Sequence, residues 1–190
     1  MTGPGGRSLA ELAVVLGAAQ EAEAQVFALV GRWVRSVPEP EAKILLAIHS
    51  RHHGEHALEW ANLRPSSAGR AGPPVAGLDA ARLEVAAGLV TTVGRLTALV
   101  DHVMPALAMR AAPPPGPAVA EATVTRAVRS IGRDHRAQVA ELAALLARLA
   151  DDPPDPDAVR ADLVALKPLA GAGTAGTGVE QSGRAPSPRR

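Results

Sequence analysis

The chain predicts an all-α fold, a bundle of four long helices, and three observations carry that prediction. Apolar residues recur at three- and four-residue steps through four long stretches, the spacing that gathers them on one side of a helix. Clusters of proline and glycine separate those stretches, at Ser36–Pro40, Arg64–Gly77, Ala111–Pro117 and Asp151–Asp157. The interior must also be built from Ala, Leu and Val, because Phe27, Trp33 and Trp60 are the only aromatic residues among 190. Ala and Leu form helices readily, whereas strands favour β-branched and aromatic side chains.

Residues 1–7 form a Gly/Pro-rich lead-in that is expected to be flexible. Ser8 followed by Glu11 reads as a capping box, and Leu9, Leu12, Leu16, Ala19, Glu23, Phe27, Val30 and Val34 then define one amphipathic helix to about Arg35. Glu23 sits on that apolar stripe at mid-helix, where a carboxylate is costly to bury unless it is paired, protonated or metal-bound. Ser36–Pro40 ends this helix and opens the second, over Pro40–Leu63, since proline is excluded from helix interiors but suits a first turn. So short a connection makes the two helices antiparallel and sets Glu23 level with about residue 51. Arg64–Gly77 spans up to about 45 Å when extended, enough for the third helix to run in either direction. That helix is expected over Asp79–Met109, with Leu78, Arg82, Val85, Leu89, Val93, Leu96, Val100, Val103 and Leu107 on its inner face. Pro105 should kink or end it near His102. Glu84, Asp101 and His102 project off that face, so the third helix brings no inward carboxylate. The fourth, Ala118–Ala150, turns Glu121, Val124, Val128, Ile131, His135, Val139, Leu142 and Leu146 inward, with His135 at mid-length. Residues 8–151 thus make the bundle. Residues 152–169 hold a Pro-rich turn and a short fifth helix within Ala158–Leu166, and residues 170–190, rich in Gly, Ala, Thr and Ser, are expected to be a disordered tail.

Composition excludes several function classes. Twenty basic and 19 acidic residues leave a net charge of +1, without the one-signed surface that a dedicated nucleic-acid or membrane-surface binder needs. Arg126, Arg129 and Arg133 read as a solvated ridge on the fourth helix. Cysteine is absent, which removes disulfides, thiolate metal sites and cysteine nucleophiles and agrees with a cytoplasmic setting. The apolar run Leu12–Ala19 continues its period to Val34, as a mature helix does rather than a signal peptide. No stretch of about 18 residues is free of charge, so no membrane span is expected. The glycines at 3–6 follow no strand, and Ser8 and Ser50 lack the strained elbow of a nucleophile. Surplus apolar helix surface points to a homodimer.

The polar exceptions on the apolar faces carry the functional signal. Four of the six histidines, His49, His52, His53 and His56, fall on the second helix within an arc of roughly 100°, the sector of Leu45, Leu46, Trp60 and Leu63. With Glu23 and His135 they make six inward polar groups near the middle of three helices. Inward imidazoles and carboxylates at that level are how helical bundles hold metals.

On these residues the chain resembles the ferritin-like superfamily, over about Ser8 to Ala150, through its helical architecture, Glu23 in the first helix and the histidine-rich second helix. The resemblance implies a bundle with a long crossover and a di-iron or di-manganese carboxylate site for oxygen or oxidation chemistry. It sets Glu23 at the first-helix glutamate, His52 or His53 near the second-helix histidine, and His135 near the fourth-helix one. The superfamily's Glu-x-x-His pattern is not matched: Leu46, His49, Ser50 and His53 stand three residues before the second-helix histidines, and Gly132 three before His135. Three readings stay open. Glu23 with two or three of His49, His52, His53, His56 and His135 binds one transition metal ion, such as iron, zinc, copper, nickel or manganese. Alternatively, the same groups form a hydrogen-bonded layer in a non-catalytic scaffold or interaction subunit. In the third, they line a pocket for an unknown small-molecule substrate, with a histidine as general base.

Overall fold

The computed structural model describes residues 9–65, 77–110 and 120–170; the expected flexible N-terminus and disordered tail, with Ser8 of the capping box, lie outside them. Every regular element among these residues is helical, which establishes the all-α class. The helices are α1 (Leu9–Val34), α2 (Pro40–Leu63), α3 (Ala80–Gly88), α4 (Thr92–Ala98), α5 (Met104–Arg110), α6 (Ala120–Ala150) and α7 (Pro156–Ala170).

Pro40 sits in the first turn of α2, where its missing N–H costs nothing, and Val37 is buried beneath the turn that reverses the chain. The core stripe of α1 is Ala22, Val26, Leu29, Val30 and Trp33. Phe27, expected on that stripe, is instead 48% exposed and lies against Gly54 of α2. Gly54 has no side chain, which leaves room for the ring at the seam between the two helices: a Cβ there would lie 3.3 Å from it. The segment Ala10–Val34 is long and apolar enough to cross a membrane by length and composition, but 56% of its most apolar window is buried inside the fold.

The third helix expected over Asp79–Met109 is broken after Gly88. Asp79 caps α3 by accepting from the Ala81 N–H, and the chain then extends through Leu89–Thr91 before α4 begins. What breaks the helix is a cap supplied from far along the sequence. The carboxylate of Asp162, on α7, accepts from the Val90 N–H, the Thr91 N–H and the Thr91 hydroxyl at 3.2, 2.8 and 2.7 Å. Thr91 Oγ1 in turn accepts from the Gly94 N–H, closing an N-cap. A single π turn, Leu99–Val103, joins α4 to α5. Pro105 has no N–H to give to the preceding turn, and the wider turn absorbs the mismatch without ending the helix. In that turn the His102 carbonyl accepts from Arg82 of α3 at 2.8 Å. The fifth helix expected within Ala158–Leu166 is longer, because Asp155 caps it through the Ala158 N–H and Leu166 and Leu169 bury against the core.

Polar contacts fix the helix directions. Thr92, at the start of α4, donates to the carboxylate of Glu39, at the start of α2, so the two helices begin at the same end of the molecule. Arg95 lies over the Trp33 ring at the same end of the molecule. In α6, Arg148 pairs with Glu41, Glu141 with His49 and Asp134 with His56, so α6 runs antiparallel to α2. The long connection after α2 therefore returns to the starting end, with α3 in its second half.

Gly94 is a tight point of this arrangement: a Cβ there would lie 2.4 Å from Asp162 Oδ2. Gly94→Ala gains about 1 kcal/mol of helix propensity but displaces a carboxylate that holds three donors, worth about 2–3 kcal/mol. The variant is expected to be less stable by about 1–2 kcal/mol in urea unfolding, and an unchanged midpoint would show that the cap yields freely.

Two apolar clusters flank the middle of the molecule. One holds Ala22, Val26, Trp33, Leu46, Leu142 and Leu145, among others; the second holds Leu16, Ala19, Trp60, Val124, Ala127 and Ile131. Around residue 23 of α1, between residues 46 and 60 of α2, and between residues 131 and 142 of α6 lies a polar layer.

Candidate metal centre

Glu23 occupies the centre of that layer with no exposed surface. Its Oε2 accepts from His53 Nδ1 at 2.7 Å and its Oε1 from His135 Nε2 at 2.9 Å. A carboxylate only accepts, so those two ring nitrogens carry the protons. His56 Nδ1 stands 3.8 Å from Oε1, near enough for charge attraction and too far for a hydrogen bond. Its other nitrogen donates to Asp134 at 3.3 Å. The rings of His53, His56 and His135 lie 5.3–6.2 Å apart, centroid to centroid. Each of Glu23, His53, His56 and His135 offers one ligand atom, and those four atoms lie within 4.8 Å of one another. Among the described residues this is the group of metal-ligating side chains that converges on one point.

Electrostatics follow from burial. Desolvation alone would raise the Glu23 carboxyl, but hydrogen bonds from His135 and His53 and the nearby His56 outweigh it and hold Glu23 well below the usual carboxylate range. Burial pushes His53 below the ordinary histidine value even though Glu23 opposes the shift. His56 goes the other way: burial would lower it, but Glu23 and Asp134, on two sides of the ring, raise it. The metal-free layer is therefore a carboxylate with a neutral His53 and a His56 that readily takes a second proton.

Of the six residues the sequence singled out, Glu23, His53, His56 and His135 come together. His49 is buried but sits one turn along α2, where it donates to Glu141 at 2.8 Å. Burial pushes its pKa down, against the pull of Glu141. His52 is only half-buried and is not part of the converging group. It marks one edge of the 100° arc and His53 the other, and α2 turns the His53 side toward Glu23 of α1. Sequence reasoning missed Asp134 and Glu141, which lie on the flank of α6 with about half of each side chain exposed. The signal was available: once α2 and α6 are antiparallel, each step up one helix matches a step down the other, which pairs Glu141 with His49 as it pairs Asp134 with His56. Glu121 lies outside the residues whose side chains are described.

The layer also holds unmatched polar atoms. Nδ1 of His49, His56 and His135 and both amide atoms of Gln138 are buried without a hydrogen-bond partner. Native interiors leave few such groups, and they concentrate where a ligand, ion or ordered water belongs. Asp134 on His56 is the carboxylate–histidine arrangement that orients a metal-binding imidazole: with the Nε2 proton given to Asp134, the Nδ1 lone pair faces Glu23. One carboxylate and three imidazoles can hold a single divalent ion, the ion replacing the protons now shared with Glu23. Comparison of the chain with protein-family models, with curated proteins and with solved structures finds no match.

Proposed function

We propose that this protein is a metal-binding helical bundle of ferritin-like architecture that holds one divalent transition metal ion between Glu23, His53, His56 and His135. The observation that carries the reading is the convergence of four buried ligand groups from three helices within 4.8 Å. The start of α4 at the same end of the molecule as the start of α2, reached by a long crossover, supports the ferritin-like part. Charge counting favours one ion over the two that the superfamily implies. A single carboxylate leaves a divalent ion at +1, whereas two hard cations need about four carboxylates. Imidazole-rich coordination suits zinc, iron, copper or nickel ahead of manganese. Four protein ligands fill a tetrahedral shell, the pattern of a holding site; oxidation chemistry requires that one of them release the ion.

Equilibrium dialysis of metal-stripped protein against zinc, followed by elemental analysis, tests the reading. Wild type is expected to retain one ion per chain. Glu23→Gln should weaken binding by at least about 100-fold, while His52→Ala leaves it unchanged. A folded wild type that holds no stoichiometric metal would reject the proposal. That result would favour a second reading, which the two short hydrogen bonds onto Glu23 support: a structural Glu/His layer in a scaffold or interaction subunit.

A further inference from the structure

A different face of α2 carries a separate conclusion, independent of any metal. Ile44, Ile48, Arg51, Glu55 and Leu58 recur at four- and three-residue steps and fall within roughly 80° on the side of α2 turned away from His49, His53 and His56. All five are exposed, and the apolar members are so to an unusual degree: Ile44 63%, Ile48 42% and Leu58 66%. Beside them runs a shallow groove of small side chains, Ala47, Gly54 and Ala57, floored by Phe27 of α1. Isoleucines and leucine at heptad spacing, with two opposite charges between them, form a seam that accepts another helix.

The order of residues in the seam says which helix. Ile48 and Leu58 are placed symmetrically about position 53, and so are Arg51 and Glu55. A second α2, laid antiparallel across the first with its midpoint at the same position, therefore sets Ile48 against Leu58 of the partner subunit and Arg51 against Glu55 of the partner subunit. The twofold axis repeats both contacts. Each surface is its own complement in shape class and in charge, as an isologous dimer requires. Within one chain Arg51 and Glu55 already stand 3.7 Å apart, so the pairing assembles a square of alternating charges. We propose that this face of α2 is the interface with a second copy of the chain, antiparallel and centred at the level of His53.

Sedimentation velocity of the full chain, from about 1 to about 100 µM, tests it, with a dimer expected at twice the 19.4 kDa chain mass. Leu58→Glu should give monomer throughout that range, and Ile48→Lys repeats the test should the first variant fold poorly by circular dichroism. The charges test the register. Arg51→Glu alone and Glu55→Arg alone each set like charges together twice across the axis, and each should weaken association by about 10-fold or more. The double reversal R51E/E55R restores opposite pairing and should return to within about threefold of wild type. A wild type that stays monomeric, a dimer indifferent to Leu58→Glu and Ile48→Lys, or a double reversal no better than its parents would each overturn the proposal.

Discussion

Replacing Glu23 with alanine is expected to lower the unfolding free energy of the metal-free protein by about 3–5 kcal/mol, because it removes one partner from a buried charged network and leaves the others unpaired. His53 Nδ1 and His135 Nε2 lose their acceptor, His56 loses the charge that stabilises its proton, and a side-chain-sized void opens between two apolar clusters. Since whole domains are stable by only about 5–15 kcal/mol, the variant should be marginal at room temperature. The same argument predicts recovery. Glu23→Leu combined with His53→Leu and His135→Leu removes every member of the direct hydrogen-bonded set, and such exchanges are often neutral or stabilising. Urea unfolding followed by far-ultraviolet circular dichroism measures both. A loss under about 1 kcal/mol for Glu23→Ala would mean that the carboxylate is solvated and not clamped.

Acid is expected to undo the fold through the same residue. The histidines hold Glu23 below its ordinary value of 4.5, so its contribution to stability is complete above that value and is lost as pH falls below it. His53 and His49 act earlier and in the same sense. Burial depresses both below 6.5, so the unfolded chain takes up their protons first and stability declines as pH drops through that value. His56 opposes them: its pKa is raised in the fold, so its contribution is complete below 6.5 and is lost as pH rises through the folded value. Two depressed histidines against one raised one leave a shallow decline from about pH 7 to about pH 5, followed by a steep one below about pH 4.5. In Glu23→Gln the steep limb should shrink, because a neutral amide has no proton to gain. Unfolding midpoints of the two proteins over this range should therefore converge as the solution is acidified. Curves that remain parallel would contradict a charged Glu23 in the metal-free layer.

Much of this was legible in the sequence, for identifiable reasons. The boundaries of α1 and α2 and the level of Glu23 against α2 follow from helical period and a short proline turn, both local properties. The inward His53, His56 and His135 follow from the same period. The broken third helix was hidden because its cap, Asp162, lies 71 residues beyond Thr91, and no local pattern announces a partner that distant. Gly88 and the β-branched run Val90–Val93 were the faint local trace, outweighed by an apolar stripe that continues across the break. His49 and His52 could not be separated from the converging set by periodicity, since a 100° arc does not say which part of it faces the neighbour. That depends on how α2 packs between its neighbours: His53 meets Glu23 of α1, while His49 falls opposite Glu141 of α6.

The convergence of Glu23, His53, His56 and His135 on one ion is tested most directly by crystals of the protein grown with zinc, with anomalous diffraction collected at the zinc edge. A single peak is expected in the polar layer, about 2 Å from one atom of each of the four side chains. A peak on the surface, at His52 or between His49 and Glu141, or an ordered hydrogen-bonded layer with no peak at all, would contradict it.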